Sequence, residues 1–369
     1  MPTKAKVSWN PNKRRKDFDK KIDFFARRIH FVDHLAPMWN NIKKDMKGTF
    51  YLPAHLEKYA IGLGLENITP LMPIGPGGNP VNIVPNGYGP IVTCAYGDLH
   101  QAYRQNTIRP QILMEHGVGL SFPEYSPGYA GGSGIRAVVC LFLAPNEVIR
   151  AKTALTFPTA YQAVIGTPKM DKWVNQPKKK RTSPPTIAVA FHWDGASAIC
   201  PEAGNAWKHY EKFLPTLNKH FDVIGHGHPK IIETLAPKYR KMGFKVETNF
   251  EDVLRQADCY VNDSSSTLYE FSCVDRPVVI MNAPWFRKNV NFGIRWWDYT
   301  DIGPQCEDPN ELVDKIKESL KEKHEYVATR HKAVEELYPH LGTSAIVGAN
   351  AIMDFVNKVR DDIIFPIRD

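Results

Sequence analysis

The sequence predicts an α/β protein built from two doubly wound domains. Three observations carry the prediction. The chain has 369 residues, more than the ~250–300 at which a single core stops growing. Apolar runs of strand length alternate with longer amphipathic segments through both halves. A proline- and lysine-rich stretch, Val174 to Pro185, separates the two series, as an exposed connection between domains does. The expected organisation is residues 1–175, a linker at 176–185, a second domain at 186–345 and a helical tail at 346–369.

In the first half, residues 1 to about 22 are charged, either loosely held or a basic helix. Ile29-His-Phe-Val and Thr49-Phe-Tyr-Leu read as strands, and Ile74 to Pro80 as a Gly/Pro loop. Ile91 to Ala95 is a strand ended by Gly97-Asp98, and Pro110 to Glu115 is another, ending in His116-Gly117. Val118 to Ile135 is rich in Gly, Pro, Ser and Tyr, a long loop at a strand end, where α/β sheets place ligand contacts. Val138 to Leu143 is a strand, Asn146 to Thr156 a helix capped by Asn146, and Tyr161 to Ile165 a strand ending at Gly166-Thr-Pro168.

The second half repeats the alternation without repeating sequence. Thr186 to Phe191 is a strand, Asn205 to Leu217 a helix with Trp207, Tyr210 and Leu214 inward, and Phe221 to Gly225 a strand ending in His226-Gly-His-Pro229. Lys230 to Lys241 and Phe250 to Gln256 read as helices around a strand at Phe244 to Thr248. Cys259 to Asn262 is a buried strand, Asp263 to Ser266 a polar turn, and a helix follows to about Cys273 before Arg276-Pro277 and the strand Val278 to Asn282. Leu312 to Glu322 is helical, as is most of Tyr326 to Lys358, with a break at Gly342.

Composition narrows the class. Hydrophobic content is 43%, ordinary for a globular chain, and no run approaches the ~20 apolar residues of a membrane span. The polar, basic start is unlike a secretory signal. Six cysteines lie scattered, mostly in apolar runs with no CxxC pair, which predicts reduced core thiols and a cytoplasmic protein. The net charge of +8 is concentrated at Lys13-Arg-Arg-Lys16, Lys20-Lys21 and Lys178-Lys-Lys-Arg181. Such charge suits nucleic acid, an anionic membrane surface or a polyphosphate substrate, or simply a solvated basic surface.

Three polar clusters fall at strand ends, the edge where such sheets bind ligands: Glu115-His116-Gly117, His226-Gly227-His228-Pro229 and Asp263-Ser264-Ser265-Ser266. In the last, Asp263 or a serine is expected to cap the helix, leaving hydroxyls and backbone N–H groups for a phosphate or diphosphate. Glu270, two turns on, is placed to accept hydrogen bonds from a ribose diol; the alternative is an ordinary capped helix. A histidine near neutrality takes a proton from a hydroxyl, and one donating N–H steadies a leaving diphosphate. His226 and His228, or His30 and His34 four apart on a helix face, invite a shared metal, but neither pair has a third ligand nearby. The Asp17-Phe-Asp19 pair sits in a charged stretch, and no P-loop, GxSxG or clean GxGxxG is present. A site with no metal and no cofactor is expected. His192, at another strand end, lines the same cleft or packs.

Taken in order, these clusters resemble the catalytic region of the CDP-glycerol glycerophosphotransferase family, the teichoic-acid primases and polymerases, over residues 110–322. The family's HG motif is similar to His116-Gly117, its G-x-P-[RK]-x-D segment to Gly166-Thr-Pro-Lys-Met-Asp171, and its strand ending in Thr-Trp to Phe191-His192-Trp193. Its HP motif resembles His228-Pro229, and its DYSS-x-x-x-D signature resembles Asp263-Ser-Ser-Ser-Thr-Leu-Tyr-Glu270, followed by Arg276-Pro277. A later G-[FY]-x-x-D-Y-x-x-x-x-G-P block is similar to Gly293 to Pro304. The resemblance implies a GT-B fold of two Rossmann-like domains with the site between them and a CDP- or UDP-linked donor on the second. It implies His116 as base and His228 at the donor phosphates. Gly117, Gly227, Asp263, Ser264, Ser265, Ser266 and Thr267 would line the donor, with Ser265 and Ser266 on the diphosphate and Glu270 near the nucleotide. The family's Thr-Pro-Leu-Lys after HG is Val118-Gly-Leu-Ser121 here, and Ser264 replaces its tyrosine.

The leading function is therefore metal-independent transfer of a glycerol-phosphate or glycosyl unit from a nucleotide-diphosphate donor to the hydroxyl of a polyol, glycan or DNA. A DNA-modifying glycosyltransferase of the kind phages encode is the second. It is motivated by the charge and by aromatic–basic interleaving at Trp285-Phe-Arg-Lys and Arg295-Trp-Trp297. A nucleotide-sugar 2-epimerase is third, because that family's Gly-Gly after Asp-Ser is Ser265-Ser266 here.

Overall fold

The structure is a computed structural model and describes residues 19–71, 87–105, 109–118, 134–174, 176–177, 179–197, 201–286 and 301–362. The basic N-terminal run, the loop after Val118, Lys178, and the Arg287–Thr300 part of the aromatic–basic segment and its G-x-x-x-D-Y block lie outside the described residues.

Seven strands form the first sheet: β1 (Ile22–Phe25), β2 (Lys47–Pro53), β3 (Ile68–Leu71), β4 (Ile91–Thr93), β5 (Gln111–Met114), β6 (Val139–Ala144) and β7 (Tyr161–Val164), in the order β3-β2-β1-β4-β5-β6-β7. Six form the second: β8 (Thr186–Phe191), β9 (Asp222–Gly227), β10 (Lys245–Val246), β11 (Cys259–Asn262), β12 (Val278–Met281) and β13 (Gln305–Cys306), in the order β10-β9-β8-β11-β12-β13. Every pairing in both sheets is parallel. Parallel strands need crossover helices on both faces, which is why strands such as Ile112–Met114 and Cys259–Asn262 are apolar or buried throughout.

The helices are α1 (Ile29–Asn41), α2 (Glu57–Gly62), α3 (Tyr96–Gln105), α4 (Glu147–Thr156), α5 (Trp207–Tyr210), α6 (Ile232–Lys241), α7 (Phe250–Gln256), α8 (Thr267–Ser272), α9 (Leu312–Ser319), α10 (His324–Leu337) and α11 (Ser344–Asp362). Asn146 caps α4 as expected, its Oδ1 accepting from Ile149 N–H at 3.0 Å. Each sheet has one place where the strand order reverses, between β1 and β4 in the first and between β8 and β11 in the second. The carboxyl ends of the strands beside these reversals are where such folds hold ligands.

Two expectations are corrected. Ile29-His-Phe-Val begins α1 and is not a strand; the strand is Ile22–Phe25. Over thirteen residues the buried positions Phe31, Val32, Leu35, Ala36, Met38 and Trp39 follow a helical period that a four-residue window hides. The helix expected at Asn205 to Leu217 is only α5, followed by a 3-10 segment at Leu214–Lys219, because Pro215 has no N–H to continue an α-helix. Residues 180–184 are exposed, and the segment is tied to the second domain: Lys179 pairs with Asp258, Thr182 N–H and hydroxyl also reach Asp258, and Arg181 pairs with Glu322 at 3.0 Å. The last helix returns to the first sheet. Its residues Ala349, Ile352, Met353, Phe355 and Val356 pack into the first domain's core with Phe24, Trp39 and Leu143.

Cys94, Cys140, Cys259, Cys273 and Cys306 are free thiols. Among the described residues no helix is long and apolar enough to cross a membrane.

Candidate functional site

The reversal of the first sheet gathers an imidazole cluster. His116 follows β5, and its ring Nδ1 lies 2.8 Å from the carbonyl oxygen of Cys94, which follows β4. A carbonyl only accepts, so Nδ1 carries the proton and Nε2 is left as the basic nitrogen. Helix α1 supplies the wall behind the ring. Phe31 and His34 meet it edge-on at 5.2 and 5.8 Å between centroids, and His30 lies at 6.5 Å. Burial lowers the His116 pKa below its ordinary value. The Lys169 cation adds to that, while the Glu115 and Glu270 carboxylates and the Cys94 bond oppose it. His30 is pushed down to about 2 and His34 well below its ordinary value, both chiefly by burial. The pocket wall is thus uncharged at neutral pH, and His116 is held as a neutral base.

The reversal of the second sheet gathers the other cluster. His228 follows β9, and its Nδ1 accepts the backbone N–H of Lys230 at 3.1 Å. The neutral ring therefore carries its proton on Nε2, the opposite tautomer to His116. His192, after β8, stacks edge-on against it at 5.0 Å, and the Lys230 ammonium sits 3.9 Å over the Trp193 ring. The Lys230 pKa is lowered by burial and by Arg28, which belongs to the first domain. His30 likewise feels His228. The two clusters therefore lie near enough to act on one another electrostatically.

The serine turn lies beside His192, but not as expected. Asp263 is 2% exposed, and its carboxylate accepts backbone N–H groups from His192 (2.8 Å), Ser264 (2.7 Å) and Ala206 (2.9 Å). It binds the end of β8 to the end of β11 and does not cap the helix. Helix α8 begins only at Thr267, with Ser266 as its cap residue and no side-chain cap bond. Asp263 and Glu270 therefore do not share a helix face. Ser265 N–H is held by Asn262 Oδ1 at 3.0 Å, and the Thr267 hydroxyl is paired with Tyr260 at 2.8 Å. Ser264, Ser265 and Ser266 are partly exposed at the turn, whereas Gly117 and Gly227 are buried. His226 is turned into the fold, its Nδ1 donating to the Glu247 carbonyl at 2.7 Å and its ring against Phe250. It packs, and it does not pair with His228 on one ligand.

Glu270 is 3% exposed and its Oε1 lies 2.7 Å from Lys169 Nζ. Its Oε2 is buried with no hydrogen-bond partner among the described residues. Arg28 and Lys230 are site residues that the sequence reading did not name, while His30 entered it only as half of a histidine pair and Lys169 only as part of a motif. Lys169 had a signal, since it occupies the basic position of Gly166-Thr-Pro-Lys-Met-Asp171. That segment works as a joint. Gly166 has φ +78° against the Pro339 carbonyl, where a Cβ would clash, and Asp171 accepts N–H groups from Gly342 (2.9 Å), Ser344 (3.1 Å) and Ala345 (2.7 Å) at the start of α11.

With the geometry in view, comparison with known proteins is informative. Residues 203–344 match the sequence profile of a family described as CDP-glycerol:poly(glycerophosphate) glycerophosphotransferase. This bears out the resemblance drawn from the motifs. No curated protein matches the sequence. The fold is similar to that of the wall teichoic acid polymerase TagF in a structure with CDPG (TM-score 0.58, 12% identity, 94% of this chain and 91% of that one). It is similar to S. aureus MnaA in a UDP co-structure (0.63, 12%, 92% and 97%). It is also similar to a UDP-GlcNAc 2-epimerase from Neisseria meningitidis bound to UDP-GlcNAc (0.56, 12%, 92% and 100%). The expected two-domain, GT-B-like fold is thereby borne out.

Proposed function

We propose that this glycerophosphotransferase-like GT-B enzyme moves a glycerol-phosphate or glycosyl unit from a CDP- or UDP-linked donor to an acceptor hydroxyl, with His116 as base. The observation that carries the reading is the opposite polarity of the two cleft histidines, His116 presenting a basic Nε2 and His228 a protonated one. In the step, the acceptor oxygen bonds to the donor's phosphorus or anomeric carbon while its proton passes to His116 Nε2. The bond to the bridging oxygen breaks, and the nucleotide leaves with the electron pair, its new negative charge met by His228 Nε2–H. Ser265 and Ser266 hold the diphosphate, and Glu270 Oε2, buried without a partner among the described residues, takes a hydroxyl of the donor. No step calls for a metal ion. The cationic cleft edge of Arg28, Lys169 and Lys230 suits a polyphosphate.

The 2-epimerase reading shares the fold, and the family match over residues 203–344 is what favours transfer. The nucleic-acid acceptor finds no support: two linker cations that motivated it, Lys179 and Arg181, are engaged by Asp258 and Glu322.

The test is a thermal-shift series with CDP, CDP-glycerol, UDP, UDP-sugars and GDP at fixed salt. A ligand at a hundred times its Kd stabilises by about 2.7 kcal/mol. A shift with cytidine species supports glycerol-phosphate transfer, and one with uridine species supports glycosyl transfer. Silence toward every nucleotide overturns the reading.

A further inference from the structure

The two open sheets end in the edge strands β3, β7, β10 and β13. Three of these carry a device that discourages pairing with another chain. β3 contains Pro70, β10 is two residues long and starts at Lys245, and β13 is two residues long. β7 has none of them. Tyr161 to Val164, with Ile165 after it, hold no charge and no proline, and the pairing of β7 with β6 runs without a shift of register.

The outer backbone of β7 is open. Ile165 N–H donates to the Ala144 carbonyl at 2.9 Å, so Ile165 turns toward β6. Strand residues alternate in direction, so Ala163 also turns to β6, while Gln162 and Val164 turn their N–H and C=O groups outward. Among the described residues no backbone group outside the sheet bonds to these two. Apolar surface converges on the same edge. Of the eight large hydrophobic side chains exposed among the described residues, four stand on the elements gathered there: Val148 and Leu155 on α4, Tyr161 on β7 and Ile346 on α11. Leu155 is 85% exposed. The two helices cover opposite faces of the sheet, α4 packing Ile149 on Ala144 and α11 packing Phe355 in the cluster that holds Leu143.

We propose that β7 is a dimerisation edge: a second copy of the chain lays its own β7 antiparallel to it, about a twofold axis through Ala163, and joins the two seven-stranded sheets into one. A copy is the occupant because the edge complements itself. Gln162 N–H meets the Val164 carbonyl of the copy, Val164 N–H meets the Gln162 carbonyl, and the axis repeats both bonds. Ala163 faces Ala163 of the copy at the non-hydrogen-bonded position, where opposed Cα atoms come to about 4.5 Å and a small side chain fits. One patch used twice about a twofold is also the commonest way for a chain to assemble.

The helices obey the same axis. Reversal sets α4 antiparallel to α4 of the copy, and the stripe Val148, Ala151, Leu155 reads onto itself, Val148 against Leu155 with the small Ala151 at the crossing. On α11 the level is fixed by Tyr161, whose ring meets Phe355 edge-on at 5.4 Å. Two strand residues on, about 6.6 Å, correspond to about four helix residues back, which sets Ala163 level with Ala351. The axis then passes between the exposed Asn350 and Asp354, so the amide of one copy meets the carboxylate of the other. Charge on α4 does not oppose the approach, since Glu147 is paired with Arg150. This surface is separate from the transfer chemistry: β7 lies two strands from β5, which His116 follows.

The experiment is sedimentation velocity of the full-length protein over a concentration series, with hydrogen exchange read at β7. The expected result is twice the mass of one chain at about 10 μM, with the Gln162 and Val164 amides slow in the dimer and fast on dilution. Leu155→Lys, at an exposed position, weakens the dimer by at least about tenfold. Gln162→Pro removes an outward N–H, leaves the pairing with β6 in place and gives single chains. A single-chain mass at every concentration, or a doubled mass that neither variant disturbs, overturns the proposal. Slow Gln162 and Val164 amides in a single-chain species, made fast by deletion of residues 363–369, would make the chain's own end the cover and overturn it equally. If Gln162→Pro fails to fold, Leu155→Lys must still weaken the dimer, and no change there overturns the proposal.

Discussion

His116 and His228 occupy matching places in the two domains. Each follows a strand one removed from a reversal of sheet order, and each begins its loop at a strand's carboxyl end. They nonetheless present opposite faces of the same chemistry. Across from His116 stands a carbonyl, that of Cys94; across from His228 stands an amide, that of Lys230. The second contact is local, made where Pro229 opens the turn, while the first spans two strands. The difference teaches that the histidine itself does not decide between base and donor. The backbone group that its inner nitrogen meets decides, and that group is set by topology in one domain and by a two-residue turn in the other.

The comparison is most sharply tested at its first member. His116→Gln should lower kcat by roughly 10²–10⁴-fold while leaving nucleotide affinity near wild type by calorimetry; an equal loss of affinity would make His116 a binding group. The second member should respond differently to amide and methyl. His228→Ala is expected to cost roughly 10²–10³-fold in kcat, and His228→Gln, which keeps an N–H, less; equal losses would remove the donor role. Asp263 supports only the second cluster. Asp263→Ala leaves three backbone N–H groups without their acceptor and should destabilise by about 3 kcal/mol in urea unfolding; a loss of donor affinity at unchanged stability would return Asp263 to the ligand. The smallest effect distinguishes the clusters by pH. His30, His34 and His116 all have lowered pKa values, so below the unfolded value of 6.5 the unfolded chain binds more protons than the folded one. Stability is then full above about pH 6.5 and falls with acid, by up to about 1.4 kcal/mol per pH unit for each group, over a window that for His30 runs down to about 2. His34→Gln should flatten this dependence in thermal melts at pH 5 and 7, and an unchanged slope would contradict it.

Much of this was legible in the sequence because parallel sheets require apolar strands and leave their polar residues at strand ends. The three clusters at His116, His228 and Asp263 were found by that rule alone. What escaped it was decided by distant parts of the chain. Asp263 reads as a cap beside three hydroxyls, but the end of β8 and the start of α5 bring two N–H groups to it from elsewhere. Ile29 to Val32 is apolar enough for a strand, and only Leu35, Met38 and Trp39 reveal the helix. Lys169 was visible as the basic position of a motif, but its partner was not until the fold set it against Glu270. The linker cations Lys179 and Arg181 read as solvent-facing because their partners, Asp258 and Glu322, are remote in sequence.

The return of α11 to the first domain has a consequence for how the protein is made. The first sheet is complete at Val164, but part of its core is supplied by Ala349 to Val356. At roughly 5–20 residues per second, a ribosome needs about 10–40 s to reach that helix. For that interval the emerging first domain exposes the apolar surface that Met353 and Phe355 will cover, while the second domain is already free to fold. Completion of the first domain's core thus waits on α11, and a chain truncated before that helix would leave a second domain beside an unfinished first one.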